Sequence, residues 1–388
     1  MAVKLKPLNE QVVVIVGASS GIGRACALRF AERGAKVVLA ARDEIGLATL
    51  ADEITARGGE AAFISADASA PVEMEAVARL AEERFGRVDT WVNDAAVTLF
   101  ARFWETTPQE FRRIMEVNYL GQVHGALAAL PALRRAGGGA LIAISSVESI
   151  VSLPLHAAYS ASKHAVEGAM DALRRELMAE DAPISVTSVK PGTINTPLFT
   201  NARNKMDVKP KGPSPIYDPH IVADCVLYAA THPVRDLFAG GAGKMMASAQ
   251  MTAPKLVDRI LARSGIPQSR TEEPRPGGEE GNLYEPYADD RAQGDFIKQS
   301  RRFSTYTWLE THPAAKLLLL LGGAVAGAAA LTRKRGARSV TEVADSGLRA
   351  DGAADLPAIP LPQTPEELVY EEAEVIIVAP ALGDRVEA

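Results

Sequence analysis

The segment Val12–Gly23 reads VVVIVGASSGIG: five β-branched residues that stop at a glycine and give way at once to a helical pattern. A strand that is apolar at every position must be buried on both faces, and a helix so close behind it must return over the sheet. The unit then recurs. A helical pattern over 22–33 closes on Gly34, and KVVLA (36–40) is the next strand. A helix near 44–57 precedes a strand at 62–65, and a helix near 71–85 precedes DTWVN (89–93). Further on, the pattern predicts helices over 108–135 and 157–180 and strands at 140–145 and 184–190. Two more helices, 219–231 and 250–263, flank a strand near 235–239. Such alternation leads to right-handed crossovers and a parallel sheet covered on both sides.

The expected fold class is therefore α/β, a doubly wound parallel-sheet Rossmann fold, with ligands at the carboxyl ends of the strands. In this frame GASSGIG is a phosphate-binding turn. Residues without a Cβ let the backbone approach a pyrophosphate, and the helix behind offers free N–H groups and the positive end of its dipole. The cradle is Gly17, Ser19, Ser20, Gly21, Ile22 and Gly23, spaced GxxxGxG. The second strand ends LAAR, with Arg42 where an acid would favour NAD. A guanidinium suits a 2′-phosphate, so NADP(H) is favoured over NAD(H).

Tyr159 and Lys163, in AAYSASKHA, stand four residues apart on a helix and share a face. A phenol needs a neighbouring cation to work as an acid–base group near neutral pH. Ser146 ends the strand LIAISS, where its hydroxyl can face a carbonyl oxygen. Together GASSGIG, Ser146, Tyr159 and Lys163 resemble the short-chain dehydrogenase/reductase family over roughly residues 8–263. The resemblance implies an NAD(P)-dependent oxidoreductase that needs no metal. Tyr159 would be its general acid/base, Lys163 would bind the nicotinamide ribose and lower the tyrosine pKa, and Ser146 would orient the carbonyl or alcohol. It also implies that Asn118, in VNYLG, supports a water in the proton relay. Asp67, Asn93, Ala95, Pro191, Gly192 and Thr196 would line the cofactor. The family's NNAG reads NDAA here, with Ala96 in place of a glycine, and Ser20 replaces the usual basic residue of the turn. Family members often pair through their two long helices, so a homodimer or homotetramer is expected.

Composition sets the remaining bounds. The net charge of −6 excludes a nucleic-acid binder, and residues 339–388 carry eleven acids against two arginines, leaving the rest nearly neutral. Cys26 and Cys225 have no CxxC partner and read as buried thiols. The N-terminus has no signal-peptide run, so the catalytic domain is expected to be cytoplasmic. The expected organisation is an oxidoreductase domain over 1–264, a Pro/Gly/acidic linker or surface arm over 265–312, a hydrophobic helix over 313–335 and an acidic tail over 336–388. KLLLLLGGAVAGAAALTRKR (316–335) reads as a membrane anchor in contact with lipid, or as a helix packed on protein. VIIV (375–378) reads as a short strand. The substrate is expected to be a small carbonyl or alcohol, with Phe100, Phe103, Leu153, Leu155 and the segment 197–219 suggesting an apolar pocket. His156 reads as a loop residue. Two rivals stand beside this reading: a non-catalytic NADP-binding scaffold or sensor at a membrane, and a dehydratase or epimerase using a related Tyr/Lys pair.

Overall fold

The computed structural model describes residues 3–275 and 280–319. Seven parallel strands form the central sheet: β1 (Val12–Val16), β2 (Lys36–Ala41), β3 (Ala61–Ser65), β4 (Thr90–Asn93), β5 (Gly139–Ile144), β6 (Ile184–Pro191) and β7 (Asp236–Ala239). Their order across the sheet is 3-2-1-4-5-6-7, so the chain reverses direction at β1 and opens a crevice between β1 and β4. The register places Ile15 between Leu39 and Val92, which brings the ends of β1, β2 and β4 to one level.

Period-two alternation explains why these strands read as unbroken apolar runs. Val13, Ile15, Val37, Leu39 and Ile142 face one layer, formed by α1 (Gly21–Glu32), α2 (Glu44–Ala56) and α7 (Pro219–Ala229). Val12, Val14, Val38, Trp91 and Leu141 face the other, formed by α3 (Pro71–Phe85), α5 (Gly121–Arg135) and α6 (Ala157–Ala179). Both cysteines are buried free thiols.

Two expected helices divide. The 108–135 pattern is α4 (Pro108–Met115), a π turn (Glu116–Leu120) and α5. A π turn inserts a residue without breaking the apolar stripe, so periodicity does not register it. The 250–263 pattern is the second half of a pair, α8 (Gly241–Thr252) and α9 (Pro254–Gln268), separated at Ala253 before a proline that suits a first helical turn.

The stretch expected as a linker or surface arm carries buried side chains and sheet pairing. Arg270–Pro274 pairs antiparallel with Val208–Pro210, and Ser300–Arg301 pairs with Ile216–Tyr217. Leu283 is wholly buried among Val97, Leu99, Ile114 and Val117, and Phe296 packs with Phe100, Phe199 and Met206. α10 (Thr305–Thr311) closes on β7, where Gly240 N–H donates to Thr307 Oγ1 at 2.9 Å. Leu283→Ala is expected to cost about 3 kcal/mol and to admit protease between residues 280 and 296. Ile45→Ala, at a side chain 72% exposed, should stay within about 0.5 kcal/mol of wild type. Urea unfolding and limited proteolysis read both.

Among the described residues no helix is long and apolar enough to cross a membrane. Most of the 313–335 helix, the acidic tail and the VIIV strand lie outside the described residues.

Candidate active site

A cavity of about 240 Å³ lies over the carboxyl ends of β1, β2, β4, β5 and β6. At its floor the chain leaves β1 at Gly17, which has φ +95°. A Cβ there would come within 2.5 Å of Ala95 N, so the turn requires glycine both for its conformation and for its contact with the strand β4 exit. Gly23 meets the turn from α1: a Cβ on it would lie 2.2 Å from Gly17 O. The close approach packs the helix onto the turn and aims its N-terminus into the crevice.

Ser146 stands at the end of β5 and Tyr159 and Lys163 on the first turns of α6, where the three converge on the cavity. Lys163 is fully buried, and its Nζ donates to Ile144 O at 2.8 Å. Burial brings its ammonium down to about 8, against Asp94, Glu167 and Glu148, which hold it up. Tyr159 behaves contrary to the sequence expectation. Burial, then Glu148 and Asp94, push its phenol well above the ordinary tyrosine range, while a hydrogen bond with Ser146 opposes them. The reason is geometric: Lys163 Nζ lies 5.5 Å over the Tyr159 ring and bonds a backbone carbonyl, so it is not placed at the phenol oxygen.

The cavity wall includes Gly17, Ser19, Ser20, Gly21, Ile22, Arg42, Asp67, Ala95, Pro191, Gly192 and Thr196, as expected positions for a cofactor. Three expected residues stand behind it. Gly23 acts through packing, as above. Asn93 is buried, accepting from Trp91 Nε1 at 2.8 Å and donating to Gln122 O at 3.1 Å. Asn118, within the π turn, takes Val97 N–H on its Oδ1 and donates to Val97 O and Ser162 Oγ, so its side-chain amide fixes the strand exit and does not reach the cavity. Ala96 causes no strain: among the described residues only Leu155 and Asp181 are non-glycine residues at positive φ.

Two of the residues expected to meet the cofactor have partners that the sequence did not reveal. Arg42 donates from its two terminal nitrogens to the carbonyls of Tyr284 and Asn282, both at 2.7 Å. Asp67 is paired with Arg113 at 2.9 Å, and Arg113 also donates to Leu283 O. The arm thus crosses the cavity mouth and adds Asn282, Pro286 and Tyr287 to its wall. Its composition hid this, since the few apolar residues of NLYEPY are scattered among acids and prolines. Asp94, another wall residue without an expected role, has its carboxyl pushed up to about 7 by burial against the pull of Lys163.

The family model described as short chain dehydrogenase matches residues 11–207, the span that builds the turn, Ser146, Tyr159 and Lys163. The chain belongs to the short-chain dehydrogenase/reductase family. Within this family, the oxidoreductase YxnA of Bacillus subtilis (strain 168) is 37% identical over 329 residues, 84% of this chain and 92% of its own length. Dehydrogenase/reductase SDR family member 7B of Bos taurus is 37% identical over 201 residues, 50% of this chain and 61% of its own. Among solved structures, a short-chain dehydrogenase/reductase from Burkholderia phymatum in complex with NAD is similar with a TM-score of 0.60 and 25% identity. It aligns with 65% of this chain and 96% of that one. An alcohol dehydrogenase from Thermococcus sibiricus complexed with 5-hydroxy-NADP gives a TM-score of 0.51 and 30% identity, over 59% and 95%. The short-chain dehydrogenase/reductase chain described here is accordingly an NAD(P)-dependent oxidoreductase.

Proposed function

We propose that this oxidoreductase is NADP(H)-dependent and reduces a carbonyl to an alcohol, with Tyr159 as the proton donor. The observation that carries the reading is the convergence of Ser146, Tyr159 and Lys163 on one cavity beside the Gly17–Gly23 turn. The turn fits a dinucleotide: a Cβ on Gly17 or Gly23 would meet backbone at 2.5 or 2.2 Å, and the helix N-terminus faces the crevice. Gly17, Ser19, Ser20, Gly21 and Ile22 would hold the pyrophosphate, and Pro191, Gly192 and Thr196 the nicotinamide end. The nicotinamide supplies the hydride. What the protein's own residues do is position and protonate.

A phenol held high by burial stays protonated at neutral pH, which suits donation to an oxygen that gains negative charge. Ser146 hydrogen-bonds the same phenol and offers its hydroxyl to the carbonyl oxygen. Lys163, still largely protonated at pH 7 with a pKa of about 8, sets a positive charge behind the tyrosine. The neighbouring apolar wall, including Leu153, Leu198, Phe199 and Met246, keeps water from competing for that proton.

The NADP(H) preference rests on Arg42. Among the described residues its guanidinium has only carbonyl partners and no carboxylate within ion-pair distance, so its charge is available to a phosphate. Arg113 adds a second cation, though Asp67 neutralises it. The test is absorbance at the nicotinamide band with NADPH or NADH over a panel of ketones and aldehydes. Wild type is expected to oxidise NADPH with some members, with kcat/KM at least about 10-fold above that with NADH; Arg42→Asp should reverse this, since a charge-assisted contact is worth about 1.5–3 kcal/mol. An unchanged ratio refutes the NADP assignment, and no consumption of either cofactor with any carbonyl refutes the reductase reading in favour of a non-catalytic binder or of non-redox chemistry.

A further inference from the structure

The turn between Ser146 and Tyr159 carries a second set of polar side chains into the same cavity. Glu148 and His156 both line it, each only 6% exposed. Glu148 Oε1 lies 3.0 Å from His156 Nδ1, and Oε2 accepts from Ser160 Oγ at 2.7 Å. Carboxylate oxygens only accept, and the second is already taken by a hydroxyl, so the imidazole hydrogen belongs on Nδ1. In the neutral ring Nε2 is then left with a lone pair. It is buried and has no hydrogen-bond partner among the described residues. Such an acceptor costs about 1–3 kcal/mol until a donor reaches it.

The ring cannot turn easily to find one. It packs edge-on against Phe100 at 4.1 Å between centroids, and lies 5.8 Å from the Tyr159 ring. Leu155, just before it, holds φ +71°, a left-handed conformation uncommon for a residue with a branched side chain, and is clamped there by Ala101 N–H on its carbonyl at 3.1 Å. Backbone strain of this kind persists where surrounding contacts impose it, and it is found most often at ligand sites.

We propose that His156 is a specificity-determining residue: its Nε2 accepts a hydrogen bond from a hydroxyl that the substrate bears close to the reacting carbonyl. Glu148 is the positioning residue that fixes the tautomer. The preferred substrate class is then a hydroxyketone with an apolar body, the body resting on Leu153, Leu198, Phe199 and Met246. This rests on the reading of the cavity as a carbonyl-reducing site beside Tyr159. Nothing in the sequence pattern singles out this histidine. Its role depends on the carboxylate eight residues upstream folding back onto it.

The test compares the full chain on propiophenone and α-hydroxypropiophenone, a pair differing by one hydroxyl, with NADPH oxidation as the readout. Wild type is expected to show kcat/KM about 10- to 100-fold higher for the hydroxyketone. His156→Phe should abolish that preference, bringing the ratio of kcat/KM for the two ketones to about one. Because this change strands Glu148, the double variant Glu148→Gln/His156→Phe is measured beside it, with circular dichroism to verify folding. A merely structural histidine would lower both ketones together. Equal wild-type efficiencies, or a preference that survives in both variants, overturn the assignment of His156 and leave the reductase reading standing. Failure of wild type to oxidise NADPH or NADH with either ketone or with any carbonyl of the panel overturns the reductase reading and this proposal with it.

Discussion

Tyr159→Phe is expected to lower kcat by about 10³-fold or more while leaving the affinity for NADPH within about twofold of wild type. The size follows from losing both the proton donor and the hydrogen bond to the substrate oxygen, since a positioned acid alone contributes about 10²–10⁴-fold. The selectivity follows from where Tyr159 stands. Its phenol lies in the cavity beside Ser146, while the glycine turn is built by other residues, on β1 and α1. Phenylalanine keeps the ring that packs against His156 and under Lys163, so folding should be unaffected. Stopped-flow turnover and fluorescence titration with NADPH separate the two quantities. Activity near wild type would refute the role given to Tyr159. Loss of cofactor binding in parallel with loss of turnover would show the variant to be structurally damaged, and Ser146→Ala, expected to lower kcat by removing the hydroxyl that bonds the phenol and faces the substrate oxygen, would then take its place.

Gly17→Val is expected to abolish detectable NADPH binding and to destabilise the fold by about 2–6 kcal/mol. Two costs combine. A β-branched residue at φ +95° is strained by about 1–3 kcal/mol. Its Cβ would also lie 2.5 Å from Ala95 N, against backbone at the end of β4 that cannot shift without disturbing the sheet, a further cost of about 1–3 kcal/mol. Gly58 is the control. It too has positive φ, but a Cβ there meets nothing within 4 Å, so Gly58→Ala carries the conformational cost alone. Chemical denaturation of the two variants separates steric from conformational terms. Equal losses at both positions would show that the approach of Gly17 to Ala95 is not what demands glycine.

These expectations draw unequally on what the sequence made legible. The sheet could be read because most strands are short, largely apolar and followed by a helix; β6 is the exception, with Ser185, Thr187, Ser188 and Lys190 all buried. The convergence of Ser146, Tyr159 and Lys163 could be read because they sit at fixed offsets on a strand end and one helix face. Asn93 and Asn118 could not be placed from type alone. An amide that lines a cavity and an amide that braces the wall behind it look the same in sequence, and here the indole of Trp91 and the backbone of Val97 decide. The pKa of Tyr159 was misread for a similar reason. Spacing puts Lys163 on the correct face but does not say which atom the ammonium bonds, and Ile144 O takes it. The arm was least legible, because its anchors are backbone groups far away in the chain: Asn282 N–H on Asn201 O at 2.8 Å, and Gly294 N–H on Asn195 O at 3.0 Å.

Those anchors impose an order on biosynthesis. The segments that carry Ser146, Tyr159 and the glycine turn emerge from the ribosome early, during synthesis at about 5–20 residues per second. The arm follows the loop it grips by some ninety residues, Phe296 N–H docking on Asn195 Oδ1 with a separation of 101 positions. The wall formed by Asn282, Pro286 and Tyr287 is therefore the last part of the cavity to be synthesised. A chain interrupted before the arm would carry Ser146, Tyr159 and the glycine turn with that side of the cavity unwalled.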